Sequence, residues 1–206
     1  MGLMGPNGSG KTTLFHVIMG LLRPSSGRME IFGRSVSGEK DFDEVRKRIG
    51  LLFQDPDDQL FHPTVLEDVA FGPLNLGKSR EEARDIAFRT LDRLGLAEFE
   101  NRIVHKLSGG EKKLISLATV LAMEPRTLLL DEPTNGLDEQ TKTKIMEVLS
   151  DLDLAYIIIS HELDFLGETT DFIYVMEKGK ILWDEALQKH YHVHVHRHGA
   201  YPHEHA

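Results

Sequence analysis

The sequence predicts an α/β fold with a mostly parallel sheet and an inserted helical segment, and three observations support this prediction. First, a glycine-rich loop at 5–12 is followed directly by a run with helical periodicity. Second, the continuous apolar runs at 49–53, 127–130 and 155–159 each end in polar residues, as buried parallel strands do at the carboxyl edge of a sheet. Third, the stretch at about 55–123 is helical and interrupts the alternation of strands and helices.

The glycine-rich loop is the most informative motif. It reads Gly5-Pro6-Asn7-Gly8-Ser9-Gly10-Lys11-Thr12, which matches the pattern G-x-x-x-x-G-K-[ST] of loops that hold nucleotide phosphates. Its glycines let backbone N–H groups point inward as an anion-binding nest, and a helix that begins at Thr13 would direct its positive end at the same phosphates. Lys11 would reach the β- and γ-phosphates, and the Thr12 hydroxyl would hold Mg²⁺.

A plain glycine-rich turn is the alternative for this loop, but such a match arises by chance in only about one chain in a hundred of this length. The loop therefore predicts nucleotide binding.

Composition and charge exclude several classes of partner. The 206-residue chain has 24 Lys and Arg against 33 Asp and Glu, a formal net charge of −9, and no basic stretch long enough to follow a phosphate backbone. We therefore expect no nucleic-acid partner. The chain has no cysteine, which excludes disulfides and thiolate metal sites, and no apolar run near the roughly 20 residues needed to span a bilayer. A role at a membrane would therefore depend on a partner.

The first third of the chain supplies a further buried strand with a polar residue at its end. A strand is predicted at 28–32, a short exposed helix at 43–48 and the buried strand at 49–53. Gln54 follows that strand, at the edge where α/β sheets place functional groups, although a glutamine there is more often structural. Only residues 1–4 precede the glycine-rich loop. Because this is short for a central strand, we expect that an N-terminal piece with further strands is missing from this chain.

N-cap residues mark three helix starts in the middle of the chain. Capping boxes at 64–67 and 79–82 predict helices that end near residues 71 and 94. Ser108 is a good N-cap for a third helix to about residue 123, and Gly109 and Gly110 expose N–H groups at its positive end. An ordinary capped helix could also have this sequence, so the Ser108 motif supports a nucleotide site only in combination with the other motifs.

Two later strands end in candidate catalytic residues. The strand at 127–130 is followed by Asp131, which is placed to hold Mg²⁺, and by Glu132, which could orient or deprotonate an attacking water. His161 follows the strand at 155–160, where a neutral imidazole could hydrogen-bond a γ-phosphate or its water, although a lone histidine is usually structural. Asp138 closes a turn and caps the next helix, and a hairpin ends the folded region.

The order of these motifs resembles that of the ATPase domain of ABC proteins, over about residues 2 to 184. The resemblance implies the fold of a P-loop nucleoside triphosphatase with a RecA-like core, in which the loop at 5–12 and Thr13 contact the nucleotide. It also implies an ATPase that binds ATP and Mg²⁺ in a dimer, homo- or heteromeric, with two ATP molecules between the subunits. Ser108, Gly109 and Gly110 of one subunit would complete the site built on the glycine-rich loop of the other. Glu132, His161 and Gln54 would form the catalytic set. Within it, Gln54 would sense Mg²⁺ and the contact with the transporter. Asp138 would link the two ATP sites.

A narrower resemblance lies in Phe53-Gln54-Asp55-Pro56-Asp57-Asp58-Gln59-Leu60-Phe61, followed by Val69-Ala70-Phe71-Gly72-Pro73. These segments are similar to the energy-coupling-factor branch, whose ATPases drive uptake of cobalt, nickel or vitamins. The resemblance implies a transmembrane coupling subunit that contacts the segment after Gln54, a substrate-binding membrane subunit, and a place at the cytoplasmic face of the cell membrane. Acidic residues around this segment would suit basic partners, or form a solvated acidic face; they are Asp57, Asp58, Glu67 and Asp68.

The two ends of the chain depart from the family. The aromatic residue that stacks on adenine in the family has no counterpart before the glycine-rich loop. An ATPase domain is predicted at 1–185, with a helical subdomain at about 55–123. The other end of the chain, 186–206, is predicted to be a disordered histidine-rich tail. Imidazole suits Ni²⁺ and Co²⁺, so the tail favours a transition metal over a vitamin as cargo, although incidental metal affinity would look the same. The candidate ligands are His190, His192, His194, His196 and His198.

Three functions remain as hypotheses. The first is a transport ATPase that imports nickel or cobalt, with a vitamin importer as its variant. A soluble ABC ATPase acting on ribosomes or DNA is the second, and it would be expected to carry a second ATPase domain, a long coiled coil or a basic surface. The third, a histidine-rich nucleotidase that delivers nickel, would leave the motif at 107–111 unexplained.

Overall fold

A six-stranded, mostly parallel sheet forms the centre of the fold in the computed structural model, which describes residues 1–183. The strands, in chain order, are β1 (Gly2–Met4), β2 (Met29–Ile31), β3 (Arg34–Val36), β4 (Ile49–Leu52), β5 (Thr127–Asp131), β6 (Ala155–Ile159), β7 (Ile173–Glu177) and β8 (Lys180–Trp183). The sheet order is β4-β5-β6-β1-β7-β8, with parallel pairs except for the antiparallel edge pair β7–β8. The predicted α/β fold with a mostly parallel sheet is confirmed.

Seven helices accompany the strands within residues 1–183. They are α1 (Lys11–Ile18), α2 (Glu39–Arg46), α3 (Val65–Asn75), α4 (Arg80–Arg93), α5 (Gly109–Leu121), α6 (Glu139–Ser150) and α7 (Leu163–Thr169). None of these helices is both long enough and apolar enough to cross a bilayer.

The first strand is central although it has only three residues. Residues 2 and 3 pair with Ile158 and Ile159 of β6 on one side, while residues 2 to 4 pair with β7 on the other. Leu3 is fully buried. Pairing on both edges and burial on both faces compensate for the short length, so the glycine-rich loop begins directly at the carboxyl edge of the sheet.

The two predicted capping boxes are present. The Thr64 hydroxyl accepts the N–H of Glu67 at 3.4 Å, and the Glu67 carboxylate accepts the N–H of Thr64 at 3.1 Å. Ser79 and Glu82 make the same reciprocal pair at 3.2 and 2.8 Å. These caps satisfy N–H groups that have no acceptor within the helix, and they fix where α3 and α4 begin.

Two predicted boundaries near the start of the chain are wrong. The single strand expected at 28–32 is a hairpin of β2 and β3, which turns at Phe32 and Gly33, both with positive φ (52° and 73°). The helix expected at 43–48 starts earlier, at Glu39, because the Asp41 carboxylate accepts two backbone N–H groups, at 3.0 and 2.9 Å, and thereby caps it.

Alternate residues of β5 face the two sides of the sheet and join two apolar cores. Leu129 packs in a core with Leu3 and the buried face of α1 and α2. Leu128 and Leu130 pack in a larger core that includes helices α3, α4 and α5. On that side, a Cβ at Gly50 would lie 2.2 Å from the Val120 side chain, so α5 packs directly against β4.

Candidate active site

A cleft of about 400 Å³ opens at the carboxyl edge of the sheet, where β1, β4, β5 and β6 end. It collects most of the site residues predicted from the sequence, together with three residues that were not predicted. The predicted ones are Asn7, Gly8, Gly10, Lys11, Thr12, Thr13, Gln54, Asp131, Glu132 and His161. The additional ones are Asn135, Ile159 and Glu162.

The glycine-rich loop needs glycine where it approaches the β7–β8 hairpin. Gly5 has a φ of 149°, and a Cβ there would lie 2.2 Å from the carbonyl oxygen of Met176. Gly10, with a φ of 106°, is the N-cap of α1. The hairpin also donates the Gly179 N–H to the Ser9 carbonyl at 3.0 Å. The loop is thus held from behind by the hairpin, and the first N–H groups of α1 remain available to an anion.

Lys11 lies within the loop rather than in solvent. Its side chain is buried, and its Nζ donates to the carbonyl oxygens of Gly5 at 2.8 Å and Pro6 at 3.2 Å. The buried Ser9 hydroxyl oxygen nearby has no hydrogen-bond partner in the described structure. A phosphate oxygen entering the loop would give Lys11 a charged acceptor and Ser9 a partner, so both side chains fit a bound phosphate.

Asp131 and Glu132 form a buried acidic pair at the end of β5, with 3% and 8% of their surfaces exposed. Asp131 Oδ1 and Glu132 Oε1 have no hydrogen-bond partner among residues 1–183. Burial raises the pKa of both carboxyl groups, and for Glu132 the negative charge of Asp131 adds to the rise while His161 opposes it.

The acidic pair fits Mg²⁺, because this ion is normally held by one or two carboxylates together with substrate phosphates. Within residues 1–183, no group of three or more His, Asp or Glu side chains is arranged to hold a metal by itself. An unpaired, buried carboxylate oxygen on Asp131 is costly without a cation, and a bound Mg²⁺ would remove that cost.

The conformation of its own main chain and a neighbouring histidine define where the Glu132 carboxylate lies in the cleft. Glu132 has a φ of 45°, which is strained for a residue with a side chain, and its N–H donates to the Ile159 carbonyl at 3.0 Å. His161 Nε2 lies 3.1 Å from Glu132 Oε1, although the pair does not have hydrogen-bond geometry. The three residues bring a carboxylate and an imidazole to one point of the cleft.

Gln54 lines the cleft from the end of β4, and its main chain is held by a lysine that the sequence analysis missed. Lys113 of α5 is 2% exposed, and its Nζ donates to the carbonyl oxygens of Gln54 at 2.6 Å and Phe53 at 3.2 Å. Burial lowers the pKa of Lys113 to about 8, and the charges of Asp131 and other carboxylates oppose the shift. The sequence signal that could have identified Lys113 was a lysine within an otherwise apolar face of a predicted helix.

The predicted Ser108 motif and Asp138 do not line this cleft. Ser108 caps α5, with its hydroxyl accepting the N–H of Glu111 at 3.3 Å, and Asp138 caps α6 by accepting the N–H of Thr141 at 3.0 Å. The two helix starts are neighbours, since a Cβ at Gly110 would lie 3.0 Å from Thr141 Oγ1. Both predicted caps are confirmed, while contacts of Ser108, Gly109, Gly110 and Asp138 with a nucleotide stay predictions. The tail histidines lie outside the described residues.

Glu162 and Asn135 are the polar lining residues that sequence reasoning missed. Glu162 accepts hydrogen bonds from the Thr134 hydroxyl at 2.9 Å and from Lys142 Nζ at 2.6 Å, so both of its carboxylate oxygens are engaged. Glu162 follows His161 directly in the sequence, and this adjacency was the available signal.

The glycine-rich loop, the buried strand-end acids and the parallel sheet together define a P-loop nucleoside triphosphatase. The ABC transporter family model matches residues 1–135. An ABC transporter ATP-binding protein of Nitratidesulfovibrio vulgaris is 51% identical over 205 residues, which cover 100% of this chain and 75% of the relative. An energy-coupling factor transporter ATP-binding protein, EcfA, of Methanocaldococcus jannaschii is 49% identical over 184 residues, or 87% of this chain and 66% of the relative.

Two solved structures share the fold. The cbiO1 protein of Clostridium perfringens, described as part of the ABC transporter complex cbiONQ, has a TM-score of 0.81 at 36% identity, covering 93% of this chain and 78% of that chain. A dimeric ATP-binding cassette in a post-hydrolysis state, bound to ADP and Pi, has a TM-score of 0.78 at 29% identity over 87% of this chain and 82% of that chain. The chain belongs to the ABC transporter family as an ATP-binding domain, and it hydrolyses ATP to drive transport.

Proposed function

We propose that this chain is the ATP-binding subunit of an importer of the energy-coupling-factor type. The observation that carries the proposal is the cleft in which the glycine-rich loop meets Gln54, Glu132 and His161. Relatives named as energy-coupling-factor ATPases, at 42–49% identity, support the importer type, as does the similarity to cbiO1. Such a subunit would act at the cytoplasmic face of the membrane.

In this proposal each cleft residue has one task in hydrolysis. Lys11 and the loop N–H groups bind the phosphates, and Thr12, Asp131 and Gln54 hold Mg²⁺, which supplies charge neutralisation and orients the phosphates when bound. Glu132 accepts a proton from the attacking water, and His161 hydrogen-bonds the γ-phosphate. The raised pKa and burial of Glu132 favour proton acceptance at the cleft, because a carboxylate with a raised pKa is a stronger base.

The position of the Ser108 motif supports a dimer. In the single chain, Ser108, Gly109 and Gly110 are outside the cleft, with Gly109 open enough that a Cβ there would meet no atom within 4 Å. A second ATPase subunit, identical or related, would bring its own copy of this helix start to the nucleotide. The dimeric cassette among the similar structures supports this arrangement.

A membrane subunit would meet the surface after Gln54. Phe61 is 64% exposed and packs edge-on against Phe71, with ring centroids 4.9 Å apart, while His62 completes the group. The Asp68 carboxylate, expected to be exposed, is instead buried and accepts the N–H groups of Phe61 at 3.2 Å and His62 at 3.0 Å. The buried Asp68 therefore supports an exposed aromatic surface that suits an amphipathic helix of a partner.

Phe61→Glu tests this contact. We expect the variant to lose co-purification with membrane subunits from native membranes, because a charge at the centre of an apolar contact must be desolvated without a partner. Phe172→Glu, at another exposed aromatic residue outside this surface, is the matched control and is expected to co-purify normally. Mass spectrometry of the co-purified proteins is the readout. Retention of the same subunits by Phe61→Glu would contradict the docking surface.

The proposed cargo is nickel or cobalt. It rests on the imidazole-rich tail, because these cations prefer nitrogen ligands. A vitamin is the alternative cargo, since the name energy-coupling factor in the relatives specifies no substrate. If the tail follows the ATPase domain on the cytoplasmic side, it would act as a buffer or sensor of imported metal rather than as part of the transport path.

Removal of residues 190–206 should abolish most Ni²⁺ binding and leave ATP hydrolysis at low metal unchanged. Imidazole must be neutral to bind metal, and its unperturbed pKa is about 6.5. Binding is therefore expected at about pH 7.5 and should be lost at about pH 5. Titration calorimetry at both pH values measures it, with alanine replacements of the tail histidines as a control of equal length. A truncated chain with full Ni²⁺ affinity would remove this support for a metal cargo.

A further inference from the structure

Lys113 is a buried cation that contacts the main chain of Gln54, and its contacts are unusual for a lysine. The side chain is 2% exposed, yet none of the ion pairs within residues 1–183 involves it. Instead, its Nζ donates to two successive main-chain carbonyl oxygens, those of Phe53 and Gln54, at 3.2 and 2.6 Å. Asp131 acts on Lys113 only through space.

Packing alone does not account for a lysine here. Burial of an ammonium group is costly, and an apolar side chain of similar length would fill the same volume without that cost. The donors of Lys113 therefore matter more than its packing. Both acceptors belong to the two residues that connect β4 to the cleft.

A second side chain, that of Gln59, fixes Phe53 to α5. Gln59 Oε1 accepts the Phe53 N–H at 3.1 Å, and its Nε2 donates to the Ser116 carbonyl and the Thr119 hydroxyl of α5, both at 2.7 Å. Phe53 is thus held at its N–H by Gln59 and at its carbonyl by Lys113. The Gln54 carbonyl, in contrast, is held by Lys113 alone among the described residues.

The Gln54 side chain itself has no such support. It is exposed, it lines the cleft, and no hydrogen bond to another of the described residues holds it. Among the described residues, Lys113 is the one side chain that holds the Gln54 main chain, and the position of the main chain sets where the Gln54 side chain starts. Loss of the Lys113 donors would release Gln54 from its direction without removing any group from the cleft.

We propose that Lys113 is a positioning residue, which holds the Phe53 and Gln54 carbonyl oxygens and thereby directs the Gln54 side chain at the metal–nucleotide complex in the cleft. The inference rests on the proposed function, because it requires Gln54 to contact that complex. It also makes α5, the helix that starts next to Ser108, the support on which Gln54 is oriented.

A double-mutant cycle of Lys113→Met and Gln54→Ala tests the proposal. The readouts are kcat for ATP and, independently of hydrolysis, the affinity for Mn²⁺ in the presence of a non-hydrolysable ATP analogue, measured by electron paramagnetic resonance. We expect Lys113→Met to weaken Mn²⁺ binding and lower kcat by about 10- to 100-fold, as is usual for residues that orient metal ligands. In the Gln54→Ala background, Lys113→Met should change neither readout further, because there is no side chain left to direct.

Thermal unfolding separates positioning from structural damage. Lys113→Met is expected to lower the Tm equally in both backgrounds, since the main-chain hydrogen bonds are lost in each. Lys112→Met is the matched control on the same helix, because among the described residues Lys112 pairs with the exposed Asp57 carboxylate, at 2.6 Å, and not with Phe53 or Gln54. This control is expected to keep the wild-type kcat, Mn²⁺ affinity and Tm.

Each outcome decides the proposal. Equal losses from Lys113→Met with and without Gln54 would overturn it and leave the proposed function intact. If Gln54→Ala keeps the wild-type kcat and Mn²⁺ affinity, both the proposal and the role of Gln54 are overturned. The ATPase assignment would still be tested separately by Glu132→Gln. If Lys113→Met does not fold, Lys113→Leu, which also has no donor, enters the same cycle with the same expectations.

Discussion

Glu132→Gln is expected to lower the rate of ATP hydrolysis by about 10²–10⁴-fold, the usual contribution of a positioned general base. The amide keeps the size of the side chain and one oxygen, but it cannot accept a proton from water. Binding of ATP should remain, because Lys11 and the loop are unchanged. Single-turnover hydrolysis and calorimetric titration with ATP measure the two quantities.

The pH profile gives an independent check on Glu132. Burial raises its pKa, so the base is lost by protonation at a pH closer to neutrality than for an exposed glutamate, and kcat should fall as the pH falls through that value. Glu177→Gln is the matched control, because Glu177 also ends a strand but is exposed and outside the cleft. Near-normal turnover by Glu132→Gln would contradict the assignment of the base.

Lys11→Ala is expected to weaken ATP binding by about 10- to 100-fold, since a hydrogen bond to a charged group contributes about 1.5–3 kcal/mol. The buried Lys11 ammonium donates to the Gly5 and Pro6 carbonyls and would donate to phosphate oxygens when ATP binds, whereas alanine has no donor. Calorimetric titration with ATP measures the loss, and thermal unfolding without ATP shows how much of it reflects the unliganded loop.

Lys47→Ala is the control for this loss of charge, because Lys47 is exposed on the surface and its ion pair within residues 1–183 is with Glu44. It should bind ATP like the unaltered protein. ATP affinity in Lys11→Ala within twofold of the control would contradict the phosphate-binding role of Lys11.

The parts of the fold that were predictable are those specified by short segments. Buried parallel strands are continuous apolar runs, and helix starts are set by residues three positions apart, such as Thr64 and Glu67. The β2–β3 hairpin was missed because its turn places Phe32, a residue with a side chain, at positive φ. Such a turn has no clear sequence signal.

The site was predictable where a motif marks it and not where it depends on distant contacts. The glycine-rich loop and the strand-end acids are recognisable alone. Lys113 and Gln59 were missed because their partners are about 60 positions away along the chain, at Gln54 and Ser116. The burial of Asp68 was also missed, because its acceptor role depends on how the chain at Phe61 folds back over α3.

The central position of β1 determines when the nucleotide site can form during folding. The strand that carries the glycine-rich loop precedes its partners by more than 150 residues, since it pairs with residues 158–159 and 173–175. Contacts at such sequence separation form late, because the loop-closure entropy of more than 150 residues must be overcome first. On a ribosome, the nucleotide-binding loop would leave the exit tunnel before β6 and β7, and it would acquire its native support only after both strands have been synthesised.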